Sequence, residues 1–426
     1  MVGLTLLIAL VVLLILNVPV GIALGVATMG ALIVGESLSI TSIPQALVTS
    51  CDSFPILAIP LFILAGDLMG AGGVSRRILN VCQVFFGRIT GGVAIVTVLV
   101  CMFFAAVSGS GPATVAAVGT MVIPTMLELG YKKSFVLALV ATAGSIGVII
   151  PPSIPMVIYG VSTGASVTSL FMGGFLPGLL IGFALIIYCY YFCKKNGYLG
   201  STEPFSWAKA RSALWDAKWA LINPVIILGG IYAGIFTPTE AAAVAALYAF
   251  ICGSFIHREL NVKKLFQAIG TSCSTTATTM VILGCATAFT KVITIEQIPT
   301  MITEGLMQIS SNGIVILLMI NVLLLIVGCF MDTTPAILVL APILWPVARA
   351  IGLDPVHFGL IMVTNLAIGF ITPPLGINLF VASRISNSPM EVIIKGIIPF
   401  IAVMLACLMM ITFIPQLSTF LPSLMK

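Results

Sequence analysis

Long runs of apolar positions, each closed by a few polar or charged ones, set the pattern of this chain. Ten of them, at about 2–16, 19–35, 54–70, 132–163, 169–193, 217–235, 238–256, 266–290, 356–385 and 396–421, are long enough for an α-helix to cross a hydrocarbon core. Two further apolar stretches, about 91–128 and 312–349, are interrupted at their centres by SGSGP (Ser108 to Pro112) and MDTTP (Met331 to Pro335). A polar, proline-bearing interruption in the middle of such a stretch predicts a helical hairpin that enters the membrane and returns on the same side. Another kind of break falls inside the run at 132–163, where IGVIIPPSIP (146–155) sets Pro151 beside Pro152. No regular helix passes through that pair, because each proline lacks an amide hydrogen and clashes with the preceding turn.

The break is repeated. IGVIIPP at 146–152 returns as IGFITPP at 368–374, with five of seven positions identical, and these are the only Pro-Pro pairs in the chain. The same shift of 222 residues, within one residue, lays SGSGPATVAAVGTMVIP beside FMDTTPAILVLAPILWP, so that Pro112 meets Pro335 and Pro124 meets Pro346. Five crossings precede the polar segment that begins at Lys194, and an odd number inserts the second half upside down, as in an inverted repeat. The expected division is a first half over 1–193, a cytoplasmic connecting loop over 194–216 and a second half over 217–426. The first hairpin then dips from the cytoplasm and the second from outside.

Composition excludes a soluble protein: of 426 residues, 60% are hydrophobic and only 7% charged, against about a quarter charged in ordinary domains. The longest polar run, Lys194 to Lys218, is too short for an extramembrane domain of roughly 50 residues. The net charge of +5 reflects topology rather than nucleic-acid binding. With the N-terminus outside and neither hairpin crossing, about fifteen of the eighteen basic residues fall inside, among them Arg76, Arg77, Arg88, Lys132 and Lys133, and only Lys291, Arg349 and Lys426 fall outside. That bias follows the positive-inside rule, and it vanishes if the first hairpin is made to cross. The ten cysteines are scattered without a CxxC pair, which implies neither disulfides nor zinc. The N-terminus reads as a retained span, since no basic residue precedes its first apolar run.

In lipid, backbone freed by prolines survives only beside a polar cavity, since each orphaned group costs several kcal/mol. Carbonyls around Gly144, Ser145, Gly147 and Pro151, and around Ala367, Gly369, Thr372 and Pro373, are hard oxygen ligands suited to a monovalent cation. The half-helices that start after each hairpin tip offer free amides and positive dipole ends to an anion. Duplicated about a pseudo-two-fold axis, these parts describe a cation-coupled anion transporter.

The motifs AIPLFILAGDLM (58–69), SGSGPATVAAVG, IIPPSIPMVIYGVS, GIFTPTEAAAVAA (234–246), MDTTPAILVLAPIL and IGFITPPLGI make the chain resemble, over essentially its whole length, the large membrane subunit of the tripartite ATP-independent periplasmic (TRAP) transporters. The resemblance implies an all-α polytopic fold of the elevator type, within the ion transporter superfamily, in the bacterial inner membrane. It further implies sodium as the coupling ion, no cofactor, a small four-helix membrane partner, and a periplasmic binding protein that delivers an organic acid such as a sialic acid or a C4-dicarboxylate. Carried over by motif, one sodium site takes Ser108, Gly109 and Ser110 with Gly144, Ser145 and Gly147. The other takes Asp332, Thr333 and Thr334 with Gly369 and Thr372. The substrate lies near Ser110, Pro152, Thr334, Pro374 and Asn378, and no transition-metal site is expected.

Plainer readings stand beside these. One Pro-Pro pair alone is a packing kink; two at matching positions are not. Tip serines and threonines also cap helices, and Asp332 is either an N-cap or an ion ligand, an acid at membrane depth being functional by default. TPTE at 237–240 reads as a capping box. VSRRILNVCQVFFGR puts Ile78, Cys82, Phe85 and Phe86 on one helical face and Arg76, Arg77, Asn80 and Gln83 on the other, so it should lie along the cytoplasmic surface; its repeat partner is Ile295 to Ile309. His257 and His357 sit near opposite edges and are not read as a proton relay. With no HExxH an intramembrane enzyme is disfavoured, and a channel is the remaining rival class. Within transporters the alternative is a self-sufficient sodium-dicarboxylate symporter that needs no binding protein.

Overall fold

The computed structural model describes residues 2–16, 18–35, 39, 41–200, 205–310 and 312–424. Its first half runs through α1 (Val2–Ile15), α2 (Val20–Gly35), α3 (Ser42–Cys51), α4 (Ala58–Ala71), α5 (Val74–Phe86), α6 (Gly92–Ser108), α7 (Gly111–Glu128), α8 (Lys133–Ser145), α9 (Ile154–Thr163) and α10 (Val167–Asn196). The second half runs through α11 (Trp207–Tyr232), α12 (Pro238–Ile251), α13 (Val262–Ile295), α14 (Ile298–Ile309), α15 (Gly313–Gly328), α16 (Thr333–Ala350), α17 (Pro355–Gly369), α18 (Ile377–Ser386), α19 (Met390–Phe413) and α20 (Gln416–Ser423). Seven helices among the described residues are long and apolar enough to span a bilayer unaided, α16 of the second hairpin among them, and the shorter apolar helices include α1, α2, the hairpin arms α6 and α15 and the broken-helix segments α8, α9, α17 and α18.

Adding 222 to the bounds of α7 gives those of α16, and the same shift carries α5, α6, α8 and α9 onto α14, α15, α17 and α18 within two residues. Contacts repeat as well: α7 packs on α18, and under exchange of the halves the same pair is α16 on α9. Each hairpin therefore lies against the broken helix of the other half. One difference between the halves has a local cause. The continuous α13 corresponds to two helices, α3 and α4, separated at Asp52 and Ser53; Pro55 follows that gap, and the shift carries it onto Ala277, which interrupts nothing.

Both breaks form where the prolines require. α8 ends at Ser145 and α17 at Gly369, and both Pro151–Pro152 and Pro373–Pro374 bonds are cis. Ser153 restarts the chain by accepting from the Met156 amide at 3.4 Å, and Gly376, at φ +52°, precedes α18. The capping box is present too: Thr237 Oγ1 accepts from the Glu240 amide, and Glu240 Oε2 accepts from the Thr237 amide at 2.8 Å.

Two expectations are corrected. The connecting segment is helical from Trp207, because its polar residues form the amphipathic end of α11, where the Lys218 ammonium sits 3.2 Å from the centre of the Trp215 ring. Arg77 is not on a solvated face but buried. Its guanidinium reaches Glu259 at 2.8 Å and Asp216 at 3.3 Å, while Arg76 reaches the same Glu259 oxygen at 2.7 Å. These pairs pin the start of α5 to α11 and to the turn after α12. Glu259→Gln should lower the unfolding free energy by about 2 kcal/mol, the scale of lost charge-assisted hydrogen bonds. Arg76→Gln, whose side chain is mostly exposed, should change it by less than about 0.5 kcal/mol. Thermal unfolding of the solubilised protein measures both.

Candidate functional site

The first hairpin tip is built by a glycine and two hydroxyls. Gly109, at φ +60°, ends α6 and lets the chain reverse within two residues; that left-handed conformation suits glycine. Ser108 Oγ lies 3.0 Å from Thr114 Oγ1, and Thr114 Oγ1 donates to the Ser110 carbonyl at 2.8 Å. Gly147 lies directly against this cluster, since a Cβ there would sit 2.6 Å from the Ser110 carbonyl oxygen. The Gly109 carbonyl accepts from the Ile154 amide at 3.4 Å, joining the tip to the first residue of α9. Ser108, Gly109, Ser110, Gly147 and Pro152 are thus brought together. Gly144 packs on Val115, and Ser145 Oγ donates to the Thr142 carbonyl at 2.7 Å, so its hydrogen is committed within its own helix. Thr114 joins the cluster without being among the residues expected from sequence; it follows Ser110 by one helical turn, and that spacing is the signal that could have found it.

At the second tip Asp332 caps α16: Oδ1 accepts from the Thr333 amide at 2.6 Å and from the Thr333 hydroxyl at 3.2 Å. Gly369 touches Gly328 backbone to backbone, so the end of α15 rests on the end of α17. Thr372 Oγ1 donates to the Ile368 carbonyl at 2.8 Å, leaving its oxygen lone pairs and its own carbonyl to the break. The two tips differ in access. Pro151 and Pro152 are buried, whereas Asp332, Pro374 and Leu375 are exposed and Thr334 is half-buried.

The halves meet at Asn378. This buried side chain donates from Nδ2 to the Ala141 carbonyl of α8 at 3.0 Å, across 237 positions of sequence, and its backbone amide donates to the Phe370 carbonyl at 3.1 Å. Its Oδ1 has no protein partner among the described residues. Gly111, the first residue of α7, faces that oxygen, since a Cβ there would lie 3.4 Å from it. A buried carbonyl oxygen left unpaired costs roughly 1–3 kcal/mol, and an arrangement that retains one beside a free helix start has acceptor and donor groups ready for a polar ligand. Serine and threonine oxygens, main-chain carbonyls and one carboxylate can together hold a small cation and orient an organic anion. No nucleophile with an adjacent base, as covalent catalysis needs, lies among them.

Comparison with known proteins shows the family. The family model described as "Tripartite ATP-independent periplasmic transporter, DctM component" matches residues 7–417. The chain is 52% identical over 407 residues to an isethionate TRAP transporter permease, DctMQ, of Oleidesulfovibrio alaskensis, covering 96% of this chain and 64% of that one. It is 40% identical to the C4-dicarboxylate TRAP transporter large permease DctM of Vibrio cholerae, covering 96% of this chain and 95% of that one. It is 37% identical to the sialic acid large permease SiaM of the same organism, over 96% and 95%. Among solved structures, the Alcanivorax borkumensis YdaH transporter, described as having an unusual topology, superposes with a TM-score of 0.58 at 17% identity, covering 86% of each chain; this likeness bears on the fold alone. The sequence relatives are named as transporter permeases, a family of transporters rather than enzymes. The chain belongs to the family of large permease subunits of TRAP transporters, the DctM component.

Proposed function

We propose that the protein imports an organic acid across the bacterial inner membrane by sodium-coupled secondary transport, its N-terminus on the outer side. Sodium occupies the two tip regions, Ser108 to Ser110 with Gly147 and Asp332 to Thr334 with Gly369 and Thr372. The acid group docks between the tips, near Ser110, Thr334 and Asn378. The part that carries the hairpins and broken helices then slides against α1 to α5 and α11 to α14 as an elevator. A small membrane subunit and a periplasmic binding protein complete the assembly. The observation that carries this reading is Asn378, which ties the broken helices of the two halves together through the Ala141 carbonyl while keeping an acceptor free beside Gly111 at the start of the first hairpin's second arm.

Isethionate is the first acid to test, given the 52% identity to a relative named for it; a C4-dicarboxylate and a sialic acid follow. Co-reconstituted with its membrane and soluble partners, the protein should accumulate the acid only under an inward sodium gradient. Uptake without any soluble partner would favour a self-sufficient symporter, and uptake indifferent to sodium would overturn the coupling. Asn378→Leu removes both amide groups at the meeting point. It should lower uptake by about tenfold, the loss of one hydrogen bond of roughly 1.4 kcal/mol, with expression within a factor of about two.

A further inference from the structure

A cleft of about 580 Å³ opens where the last turns of α9 and α13 meet the length of α3, from Ser42 to Ser50. Its floor includes Leu338 of α16, which follows Thr334 by four residues, or about 6 Å along the helix axis at 1.5 Å per residue. One face of α13 forms a wall, with Thr287, Lys291 and Thr294 at successive turns. Thr287 and Thr294 donate their hydroxyl hydrogens to the Leu283 and Thr290 carbonyls, so these side chains keep the wall wet without offering a donor to an anion. The positive charge is Lys291. It is exposed and makes no ion pair among the described residues, and the next acid along the chain, Glu296, does not line the cleft.

The other half has a cleft in the corresponding place, about 380 Å³ between α4 and α7. Two charged residues line it, Asp67 and Arg76. Their charges cancel, and each is engaged: Asp67 accepts from the Ser272 hydroxyl at 2.6 Å, and Arg76 pairs with Glu259. The repeat has thus kept the two cavities and differentiated their charge. By the distribution of basic residues the neutral cleft faces the cytoplasm and the Lys291 cleft faces out.

We propose that the Lys291 cleft is an entry site, where the organic anion binds before it passes to the hairpin tips. This rests on the import reading above. A single unpaired charge inside a low-dielectric cleft concentrates oppositely charged solutes; the cytoplasmic cleft, with its charges cancelled, has no such hold on a departing anion.

The test uses Ser162→Cys, at the cleft wall, in a background with the exposed Cys51 and Cys273 replaced by serine. Membrane-impermeant methanethiosulfonates carrying either a sulfonate or a quaternary ammonium are applied to cells from outside. Relative to a free thiol, the anionic reagent should be favoured over the cationic one by about tenfold, the low end of such focusing. Lys291→Gln should abolish the preference and Lys291→Arg should keep it. In reconstituted uptake, Lys291→Gln should raise KM about tenfold with Vmax unchanged, on the same scale. Failure of reagents to reach the thiol from outside, or a preference that survives Lys291→Gln, would overturn the entry site and leave import standing. Intact preference with no sodium-driven uptake of any acid would overturn import and, with it, the transported acid as the occupant of this cleft.

Discussion

Asp332→Asn should reduce sodium-dependent uptake to background while the protein still folds and reaches the membrane. Asparagine is as good an N-cap as aspartate, so Oδ1 can still take the Thr333 amide that it takes now at 2.6 Å, and the start of α16 is preserved. What disappears is the negative charge on an exposed side chain at a hairpin tip. If that charge balances sodium, its loss removes a charge-assisted contact of up to about 3 kcal/mol, on the order of a hundredfold in occupancy. Asp332→Ala should abolish uptake equally and also remove the cap, at about 1 kcal/mol. The comparison separates the two readings of this residue. A pure cap predicts a normal asparagine variant and a mildly unstable alanine variant; an ion ligand predicts that both are inactive. Sodium-dependent thermal stabilisation of the purified protein provides a second measurement, and Asp332→Asn should diminish it. Normal uptake with unchanged sodium dependence in the asparagine variant would remove Asp332 from the site.

The features legible in the sequence are those in which covalent chemistry overrides context. Two adjacent prolines break a helix in any surroundings, and their recurrence at 146–152 and 368–374 is independent of packing. The hairpins are legible because a straight helix would strand their polar tips in lipid, whereas a reversal of the chain brings both arms back to one side. Arg77 is the opposite case. Helical periodicity places it beside Arg76 on a polar face, but its burial depends on Asp216, 139 positions away, and on Glu259, and no local pattern encodes such partners. The helical start of α11 is hidden for a related reason: hydrophobicity locates the membrane-embedded part of a helix, and the residues from Trp207 onward belong to an amphipathic extension outside that part. Asn378 falls in the right region because it follows the second proline pair, yet its bond to the Ala141 carbonyl and its unpaired oxygen belong to the tertiary structure. Thr114 lies outside the tip motif's polar run, although it closes the first cluster through two hydrogen bonds.

Gly369→Ala and Gly147→Ala should each cost about 3 kcal/mol, the upper end for overpacking a tight interior, and should eliminate sodium-coupled uptake. The two positions are related by the 222-residue repeat, and each brings a broken helix against its own hairpin. At Gly369 the added methyl would overlap the Gly328 carbonyl, and at Gly147 it would lie 2.6 Å from the Ser110 carbonyl oxygen. Both obstacles are backbone, so no side-chain rotamer relieves them, and hairpin and helix must separate. Neither glycine has a positive φ, so backbone strain does not account for the effect. Gly305→Ala on α14, where a Cβ would meet nothing within 4 Å, is the control. It should leave uptake unchanged and, as a helix-interior replacement, add up to about 1 kcal/mol of stability. The pair also tests whether the halves act as equals. Loss of sodium stabilisation in both variants would mean that each repeat carries an ion region; loss in Gly369→Ala alone, with Gly147→Ala active, would leave the second half as the sole seat of coupling and reduce the first hairpin to a scaffold for its partner.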